Sequence, residues 1–255
     1  MEGKRTSISV VILTKNEEVL IAECIKAIQK IDPLEIIVID DNSDDGTVSI
    51  AQYHGARVER HKKIDFAEAR NFGLSQAKAE WVLYIDADEI ITDSLSKEII
   101  SAVKHDTDTA GYYVTRINYF LGKRWPGFER LLRMVRKSHF IDWFGKVHET
   151  ARVNGRTQIF FQELSHYTHR DISEMVENTV VWSETEAQLR LDADHPGVVW
   201  WRFPRVMIPT IFNYLVRQSG WKIGTVGLIE SLYQSFSLFI TYARLWEMQQ
   251  IRSRK

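Results

Sequence analysis

The sequence predicts an α/β fold in which a mainly parallel sheet is flanked by helices, with an amphipathic helical appendage at the C-terminal end. Short runs rich in Val and Ile alternate with stretches whose apolar residues recur every three to four positions, the pattern of strands and helices in turn. The apolar runs are continuous, as expected for parallel strands buried on both faces. A chain of 255 residues can bury one substantial core of this kind.

The elements of the N-terminal part are expected to follow one another as strand and helix. Pro33 breaks the chain before the second strand, and Gly46 with its Asp and Asn neighbours supplies turn chemistry before the next helix. Polar groups follow three strands, near Thr14, Asp41 and Asp86. Because ligands of open α/β sheets bind beyond the carboxyl ends of the strands, we expect these groups to share a cleft. The predicted order is strand 7–13, helix 20–28, strand 35–39, helix from 47, helix 66–77 and strand 81–85.

Two carboxylates, Asp86 and Asp88, follow the apolar run 81–85 directly. Two like charges at a buried strand end are costly unless a cation compensates them, and Mg²⁺ or Mn²⁺ commonly binds one or two carboxylates together with substrate phosphate oxygens. This pattern therefore indicates a metal-diphosphate substrate. An alternative is a capped turn, in which acidic residues only favour the start of a following helix.

Four motifs in the first 90 residues resemble those of glycosyltransferase family 2, whose members bind nucleotide sugars on the GT-A fold. They are Val11-Ile12-Leu13-Thr14-Lys15-Asn16-Glu17-Glu18, Ile39-Asp40-Asp41-Asn42-Ser43-Asp44-Asp45-Gly46-Thr47, Ala69-Arg70-Asn71-Phe72-Gly73 and Tyr84-Ile85-Asp86-Ala87-Asp88-Glu89. The ending Tyr242-Ala243-Arg244-Leu245-Trp246-Glu247 is similar to that of bacterial family members resembling lipopolysaccharide core β-1,4-glucosyltransferases.

The resemblance implies roles for the residues of these motifs. Thr14 and Asp41 are expected to hold the nucleoside, commonly uridine, and Arg70 is expected to face the diphosphate. The pair Asp86 and Asp88 is expected to contact ribose and metal, with Asp88 as the direct ligand of Mg²⁺ or Mn²⁺. The implied nucleotide-sugar-binding residues are Thr14, Asn16, Glu17, Asp41, Arg70 and Asp86.

The resemblance also implies an inverting displacement with a carboxylate base downstream of the metal motif. Glu149 is the best candidate, since it ends the segment Trp143-Phe144-Gly145-Lys146-Val147-His148-Glu149, in which Gly145 indicates a tight backbone bend. His148 either orients this base or completes the metal shell. An isolated His-Glu pair is more often a surface or structural feature.

His166 follows an apolar run and is a further candidate metal ligand, with His169 and Arg170 behind it. An exposed capping cluster is an equally good interpretation of these residues. Between the two segments lies a basic stretch that contains Arg130 and Arg133, and it either recognises an anionic acceptor or consists of solvated arginines.

The C-terminal part has a different composition, and the sequence predicts a catalytic domain over residues 1–195 and an amphipathic helical tail over 196–255. From Pro196 onward there are eight Lys and Arg residues against two Glu, although the whole chain has a net charge of −1. Aromatic residues accompany these cations, which is typical of helices at an anionic membrane surface. Uncharged stretches are shorter than a membrane span needs. The alternative is a helical pair packed on the catalytic domain or on another subunit of a homo-oligomer.

Composition agrees with a cytoplasmic enzyme, and the basic, aromatic tail predicts a peripheral position on the inner face of the cell membrane. The single cysteine, Cys24, is expected to be a buried core thiol, and the N-terminal residues lack the apolar segment of a signal peptide. No regular basic and aromatic pattern indicates nucleic-acid binding. A dehydrogenase or a nucleotidyltransferase would require a glycine-rich loop after the first strand, where Thr14-Lys15-Asn16-Glu17 stands.

The resemblance therefore implies a metal-dependent glycosyltransferase. We expect it to move a hexose, glucose in the favoured case, from a UDP-sugar to the lipopolysaccharide core or to a related saccharide or lipid-linked glycan of the cell envelope. One alternative is transfer to polyprenyl phosphate. The other is a nucleotide-sugar-binding scaffold that has lost catalysis.

Overall fold

The structure, a computed structural model, describes residues 6–145 and 149–253. The strands are β1 (Thr6–Thr14), β2 (Pro33–Asp40), β3 (Arg57–Arg60), β4 (Trp81–Asp86), β5 (Glu89–Ile91), β6 (Thr109–Phe120), β7 (Lys123–Arg124), β8 (Glu129–Arg136), β9 (Phe140–Phe144), β10 (Thr150–Val153) and β11 (Arg156–Tyr167). The helices are α1 (Ile21–Gln29), α2 (Thr47–Tyr53), α3 (Phe66–Gln76), α4 (Asp93–His105), α5 (Ile172–Asp192), α6 (Arg202–Phe212) and α7 (Thr225–Ser253). Short helical turns also cover Lys137–His139, Asn213–Arg217 and Gly220–Ile223.

Nine of the described strands form a mixed sheet in the order β3-β2-β1-β4-β8-β6-β11-β5, with β7 paired to β6. The first four strands in that order are parallel to one another. Strand β8 is antiparallel to β4 and β6, β5 is antiparallel to β11, and β9 and β10 form a separate antiparallel pair. The predicted α/β class is confirmed, and its parallel block contains the strands that the sequence motifs follow.

Both faces of the parallel block are covered, which explains why its strands are continuous apolar runs. Along β1, Val10 and Ile12 belong to one hydrophobic cluster, whereas Val11 and Leu13 belong to another. The first cluster contains residues of α1 and α4, and the second contains residues of α3 and β9. Since neighbouring residues of a strand point to opposite faces, every position of β1 here must be apolar. The predicted burial of Cys24 in this core is confirmed.

Helix α3 lies unusually close to β1, and this placement determines where its polar residues project. Asp65 caps the helix by accepting a hydrogen bond from the backbone N–H of Glu68 at 2.8 Å. A Cβ atom on Gly73 would lie 2.5 Å from Cγ1 of Val11, so only glycine allows this approach without displacement. One turn before Gly73, Arg70 is buried with 1% of its surface exposed.

The described chain divides into two compact units. The first contains residues up to 117 together with 128–166, and the second contains 118–127 together with the residues from 167 onward. The second unit therefore includes α5, because Ala187 of α5 packs in one buried cluster with Val198 and Leu245. This division differs from the domain boundary expected at residues 195 and 196. The extent of the membrane-associating tail stays a prediction.

The helices of the second unit carry small buried residues where they pack. A Cβ atom on Gly227 of α7 would lie only 1.8 Å from the carbonyl oxygen of Gly220, so the two backbones are in direct contact there.

Across residues 6–145 and 149–253, none of the helices combines the length with the apolar character that crossing a membrane requires.

Candidate active site

Three strand ends meet at one edge of the parallel block. Thr14 ends β1, and Asp86 ends β4. The backbone N–H of Asp41, which follows β2, donates to the carbonyl of Thr14 at 3.0 Å, and the N–H of Ala87 donates to the carbonyl of Leu13 at 3.2 Å. The expected convergence of the three motif segments is therefore present.

The loop after β1 is held by the loop after β2. Asn16 has a φ of 52°, its N–H donates to Ser43 Oγ at 2.9 Å, and its Oδ1 accepts from the N–H of Asp44 at 3.0 Å. The N–H of Glu17 donates to Oγ1 of Thr47 at 2.7 Å. Asn16 and Glu17 thus join the two loops through hydrogen bonds that fix the shape of the cleft wall.

The Asp41 carboxylate lies between two lysines, with Lys15 Nζ at 3.5 Å and Lys63 Nζ at 3.6 Å. Its Oδ1 also accepts from the backbone N–H of Lys63 at 3.2 Å. Burial lowers the pKa of Lys63, and the neighbouring Asp41 opposes that effect. Nearby, the Oγ1 of Thr14 is buried and has no hydrogen-bond partner among the described residues. A ligand with polar edges would satisfy this atom.

The Asp86 carboxylate is held by two arginines, one on each oxygen. Oδ1 accepts from Arg70 Nη2 at 2.9 Å, and Oδ2 accepts from Arg133 Nη2 at 2.6 Å. Burial alone raises the pKa of Asp86, but the charges of Arg133 and Arg70 outweigh burial and hold the pKa well below its usual range. Asp86 is therefore ionised and fixed in orientation.

Arg70 also binds the predicted base. Its Nε donates to Glu149 Oε1 at 2.9 Å, while the guanidinium lies over the ring of Trp143 with 5.1 Å between the carbon Cζ and the ring centroid. Asn71 anchors that tryptophan's backbone through two hydrogen bonds of 2.9 Å. The remaining nitrogen, Nη1, is buried and has no partner among the described residues. One NH₂ group of a buried cation is thus available to an anionic ligand.

Asp88 and His166 form a separate pair, with 3.1 Å between Oδ2 and Nε2. Strand pairing brings His166 there, because it lies opposite Glu89 in the antiparallel ladder of β11 and β5. Burial by itself lowers the pKa of His166, but the Asp88 carboxylate raises it more, so the pKa lies above its usual value.

The side chains of Asp88 and His166 supply part of the ligand set that a divalent cation needs. A carboxylate and an imidazole within 3.1 Å are suitable ligands for Mn²⁺, and Mg²⁺ accepts one carboxylate with substrate oxygens. Asp86, predicted as a second metal ligand, instead has an arginine on each oxygen. Within the described ranges, no three His, Cys, Asp or Glu residues are grouped as a preformed metal site.

Three further candidate residues are not among the site residues that the structure describes. His148 lies outside the described residues. His169 and Arg170 belong to the second unit, where His169 Nδ1 lies 3.1 Å from Glu230 Oε2 and Arg170 pairs with Glu174. The structure thus gives these two residues helix-packing and capping partners within that unit.

Reasoning from the sequence missed the buried part of the ion-pair network. Glu89 is fully buried and accepts from Arg133 and from Arg116, each at 3.0 Å. Arg133 was expected to recognise an acceptor or to be solvated, but only 4% of its surface is exposed. The available signal was an arginine inside the apolar run Leu131-Leu132-Arg133-Met134-Val135, because a charge buried in a strand needs a buried partner.

Similarity to known proteins extends over most of the chain. The family model described as Glycosyl transferase family 2 matches residues 9–167. The uncharacterized glycosyltransferase RC0292 of Rickettsia conorii is 25% identical over 94% of this chain and 90% of its own length. The lipopolysaccharide core biosynthesis glycosyltransferase LpsC of Rhizobium meliloti is 24% identical over 97% of this chain and 94% of its own length. A solved mannosyltransferase from Pyrobaculum calidifontis, in complex with GDP-Man and Mn²⁺, is similar with a TM-score of 0.48 and 14% identity, covering 99% of this chain and 89% of that one.

Proposed function

Because the chain belongs to glycosyl transferase family 2, we propose that it is a metal-dependent, inverting hexosyltransferase that uses a UDP-sugar. The observation that carries the proposal is the position of Arg70, a buried cation that contacts both Asp86 of the donor motif and Glu149, the candidate base. One residue thereby fixes the spacing between the group expected to bind the donor and the group expected to activate the acceptor.

Donor binding is assigned to the edge where the strand ends meet. Thr14 and Asp41 line the nucleoside end, where the buried Oγ1 of Thr14 lacks a partner among the described residues. Arg70 has a buried Nη1 that is also unpartnered in the described part of the chain, and a diphosphate oxygen is the natural acceptor for a guanidinium N–H. Asn16 and Glu17 maintain the loop that borders this region.

Transfer is a single displacement at the anomeric carbon. Glu149 accepts the proton of the acceptor hydroxyl as its oxygen bonds to that carbon, and the bond from the carbon to the diphosphate oxygen breaks with its electron pair leaving on UDP. The configuration at the carbon inverts because attack and departure occur on opposite faces. Arg70 stabilises the negative charge that develops on the departing diphosphate.

Asp88 and His166 are the residues that would hold Mg²⁺ or Mn²⁺. When bound, the cation supplies positive charge to the diphosphate oxygens. Asp86 then acts as a fixed carboxylate for the sugar or ribose hydroxyls, in agreement with its ionised state between two arginines.

For the acceptor, we favour the lipopolysaccharide core or a related cell-envelope glycan, with glucose as the transferred hexose. The support is the similarity to the lipopolysaccharide core enzyme LpsC over nearly the whole of both chains. The competing acceptor, polyprenyl phosphate, would receive the sugar directly on its phosphate group and would need no saccharide.

We also place the protein on the inner face of the cell membrane, through the second unit. On α6, Arg205, Ile208 and Phe212 recur at helical spacing and are exposed, and the exposed Trp201 precedes them at the same spacing. These four residues are called the basic aromatic face. No Asp or Glu occurs between residues 196 and 229, so this face has the charge that an anionic leaflet attracts.

A thermal-shift screen of the purified protein against nucleotide sugars tests the enzymatic proposal. It is run with Mn²⁺, with Mg²⁺ and with a chelator, because a ligand that binds only the folded state raises the apparent stability. We expect a metal-dependent shift with one UDP-sugar, followed by UDP release when core oligosaccharide is added. A folded protein that responds to no nucleotide and no metal would be a degenerate scaffold, and release with polyprenyl phosphate alone would identify the lipid-phosphate acceptor.

A further inference from the structure

Strand β8 contains a bulge at Arg133. In its ladder with β6, Met134 pairs with Tyr112 and Leu132 pairs with Tyr113, so Arg133 has no opposite residue. A bulge inserts one extra residue, bends the strand and changes the direction of the side chain at that point. As a result, Leu132 and Val135 contribute to the same hydrophobic cluster, although strict alternation would place them on opposite faces.

The guanidinium that the bulge redirects joins two carboxylates that the sequence motif places close together. Nη2 of Arg133 donates to Asp86 Oδ2 at 2.6 Å and to Glu89 Oε1 at 3.0 Å. A planar NH₂ group directs its two hydrogens at a fixed angle, so a single nitrogen sets the relative orientation of both acceptors. The ammonium group of a lysine rotates freely at the end of a flexible chain, so it does not fix the two acceptors relative to each other.

These contacts extend into a continuous series across the site. Glu89 binds Arg133, Arg133 binds Asp86, Asp86 binds Arg70, and Arg70 binds Glu149. Each link is an ion pair of 2.6 to 3.0 Å between groups that are largely buried. Buried ion pairs add little net stability, because desolvation offsets their attraction, so stability alone does not account for this series.

Resting on the proposed function, we propose that Arg133 is a positioning residue for glycosyl transfer. It holds Asp86 against Arg70, and through Arg70 it sets the position of Glu149 relative to the donor. Only 4% of the Arg133 surface is exposed, so it acts through these carboxylates and has no place in recognising an acceptor.

The test compares Arg133→Lys with Arg136→Lys. Arg136 is a matched control because it lies on the same strand, is 9% exposed, and donates to the carbonyls of Thr109 and Asp106 outside the site. Both changes keep the positive charge and replace a buried, planar guanidinium group with an ammonium group. Three quantities are measured on the full chain: the dissociation constant of UDP with Mn²⁺, the rate of UDP-glucose hydrolysis without acceptor, and the urea midpoint of unfolding.

For Arg133→Lys, we expect the hydrolysis rate to fall by about 10- to 100-fold, as is usual when a residue that orients a functional group is changed. UDP affinity falls less, because the nucleoside contacts at Thr14 and Asp41 remain. Arg136→Lys lowers the urea midpoint to a similar extent and leaves hydrolysis within about threefold, less than the effect expected of an orienting residue.

Equal hydrolysis rates for the wild type and Arg133→Lys would overturn the positioning role while leaving the proposed function intact. Equal losses in the two variants would also overturn it, since the effect would then follow stability. If the wild type binds neither UDP nor UDP-glucose, the proposed function itself fails. If Arg133→Lys does not fold, Arg133→Gln replaces it and is expected to give the same hydrolysis loss, with full wild-type hydrolysis contradicting the inference.

Discussion

Arg70 and Glu149 are separated by 79 positions in sequence, yet Nε of the arginine donates to Oε1 of the glutamate at 2.9 Å. The arginine comes from a helix of the parallel block, and the glutamate comes from the segment just before β10. The same arginine contacts Asp86 with another nitrogen. Groups contributed by three separate segments are therefore positioned by one side chain.

Replacement of the candidate base should separate binding from chemistry. In Glu149→Gln, the amide oxygen still accepts from Arg70, so we expect UDP-sugar affinity close to that of the wild type. Loss of the proton acceptor should lower transfer by about 10²- to 10⁴-fold. Asp142→Asn is the control, because Asp142 lies on the neighbouring β9 and pairs with Arg152. Transfer by Glu149→Gln at the wild-type rate would assign the base to another residue.

The metal proposal concerns Asp88 and His166. We expect Asp88→Ala to abolish both the Mn²⁺-dependent thermal shift and turnover. We expect His166→Gln to weaken Mn²⁺ binding by about 10-fold or more, because loss of even a residue that only hydrogen-bonds to a metal ligand costs about that much. His61→Gln is a matched control, since His61 Nε2 lies 2.7 Å from Glu68 Oε1 in a similar pair. A Mn²⁺-dependent shift that survives in Asp88→Ala would place the metal on other residues.

Membrane association should depend on the basic aromatic face. Removing residues from Gly220 onward would also remove α7, whose Leu245 is part of the second unit's buried cluster, so point changes are the better test. We expect Arg205→Gln with Phe212→Ser to lose sedimentation with vesicles that contain phosphatidylglycerol, because each cation contributes about 1 kcal/mol at such a surface. Tyr53→Ser, on an 86% exposed residue of the first unit, should sediment like the wild type. Equal sedimentation of the double variant and the wild type would contradict the assignment.

Asp106 should make the stability of the first unit depend on pH. Burial raises the pKa of its carboxyl, but hydrogen bonds from Thr109, Tyr112 and nearby backbone N–H groups lower it more, so the folded pKa lies below the usual value. A depressed folded pKa gives stability that is complete above the unfolded pKa of about 3.9 and is lost as the pH falls through the folded pKa.

We expect Asp106→Asn to lower the free energy of unfolding at pH 7 by about 1 to 3 kcal/mol, as for the loss of a charged acceptor. Between pH 5 and pH 3, the variant should lose less stability than the wild type when both are measured by urea unfolding. Parallel pH profiles for the two proteins would show that this carboxylate does not contribute to acid sensitivity.

Local patterns predict the positions of the motif residues well. Thr14, Asp41 and Asp86 each follow an apolar run, and parallel strands place such ends at one edge, so their convergence needs no knowledge of distant pairing. The same reasoning could not reveal that Arg133 meets Asp86. That contact depends on the register between β8 and β4 and on an extra residue in β8, and neither leaves a short-range signal.

The two-unit division was also beyond the sequence pattern. Helix α5 carries four Glu residues and one Arg, and nothing in its composition distinguishes it from a helix of the first unit. Its assignment follows from packing, since the hydroxyl of Tyr233 on α7 donates to the carbonyl of Met175 and accepts from Oγ1 of Thr179. Such partners are specified by tertiary structure alone.

The bulge in β8 has a consequence for how this strand tolerates insertions and deletions. Leu132 and Val135 lie on either side of Arg133 and face the same hydrophobic cluster, although they are three positions apart. The alternation of side chains between the two faces therefore changes phase at the bulge. Deleting Arg133 would restore regular alternation and leave Leu132 and Val135 on the same face, so the apolar pattern of the strand would survive while the ion-pair series lost its central cation. Deleting any other single residue of the strand would instead turn one segment over and expose its apolar side chains.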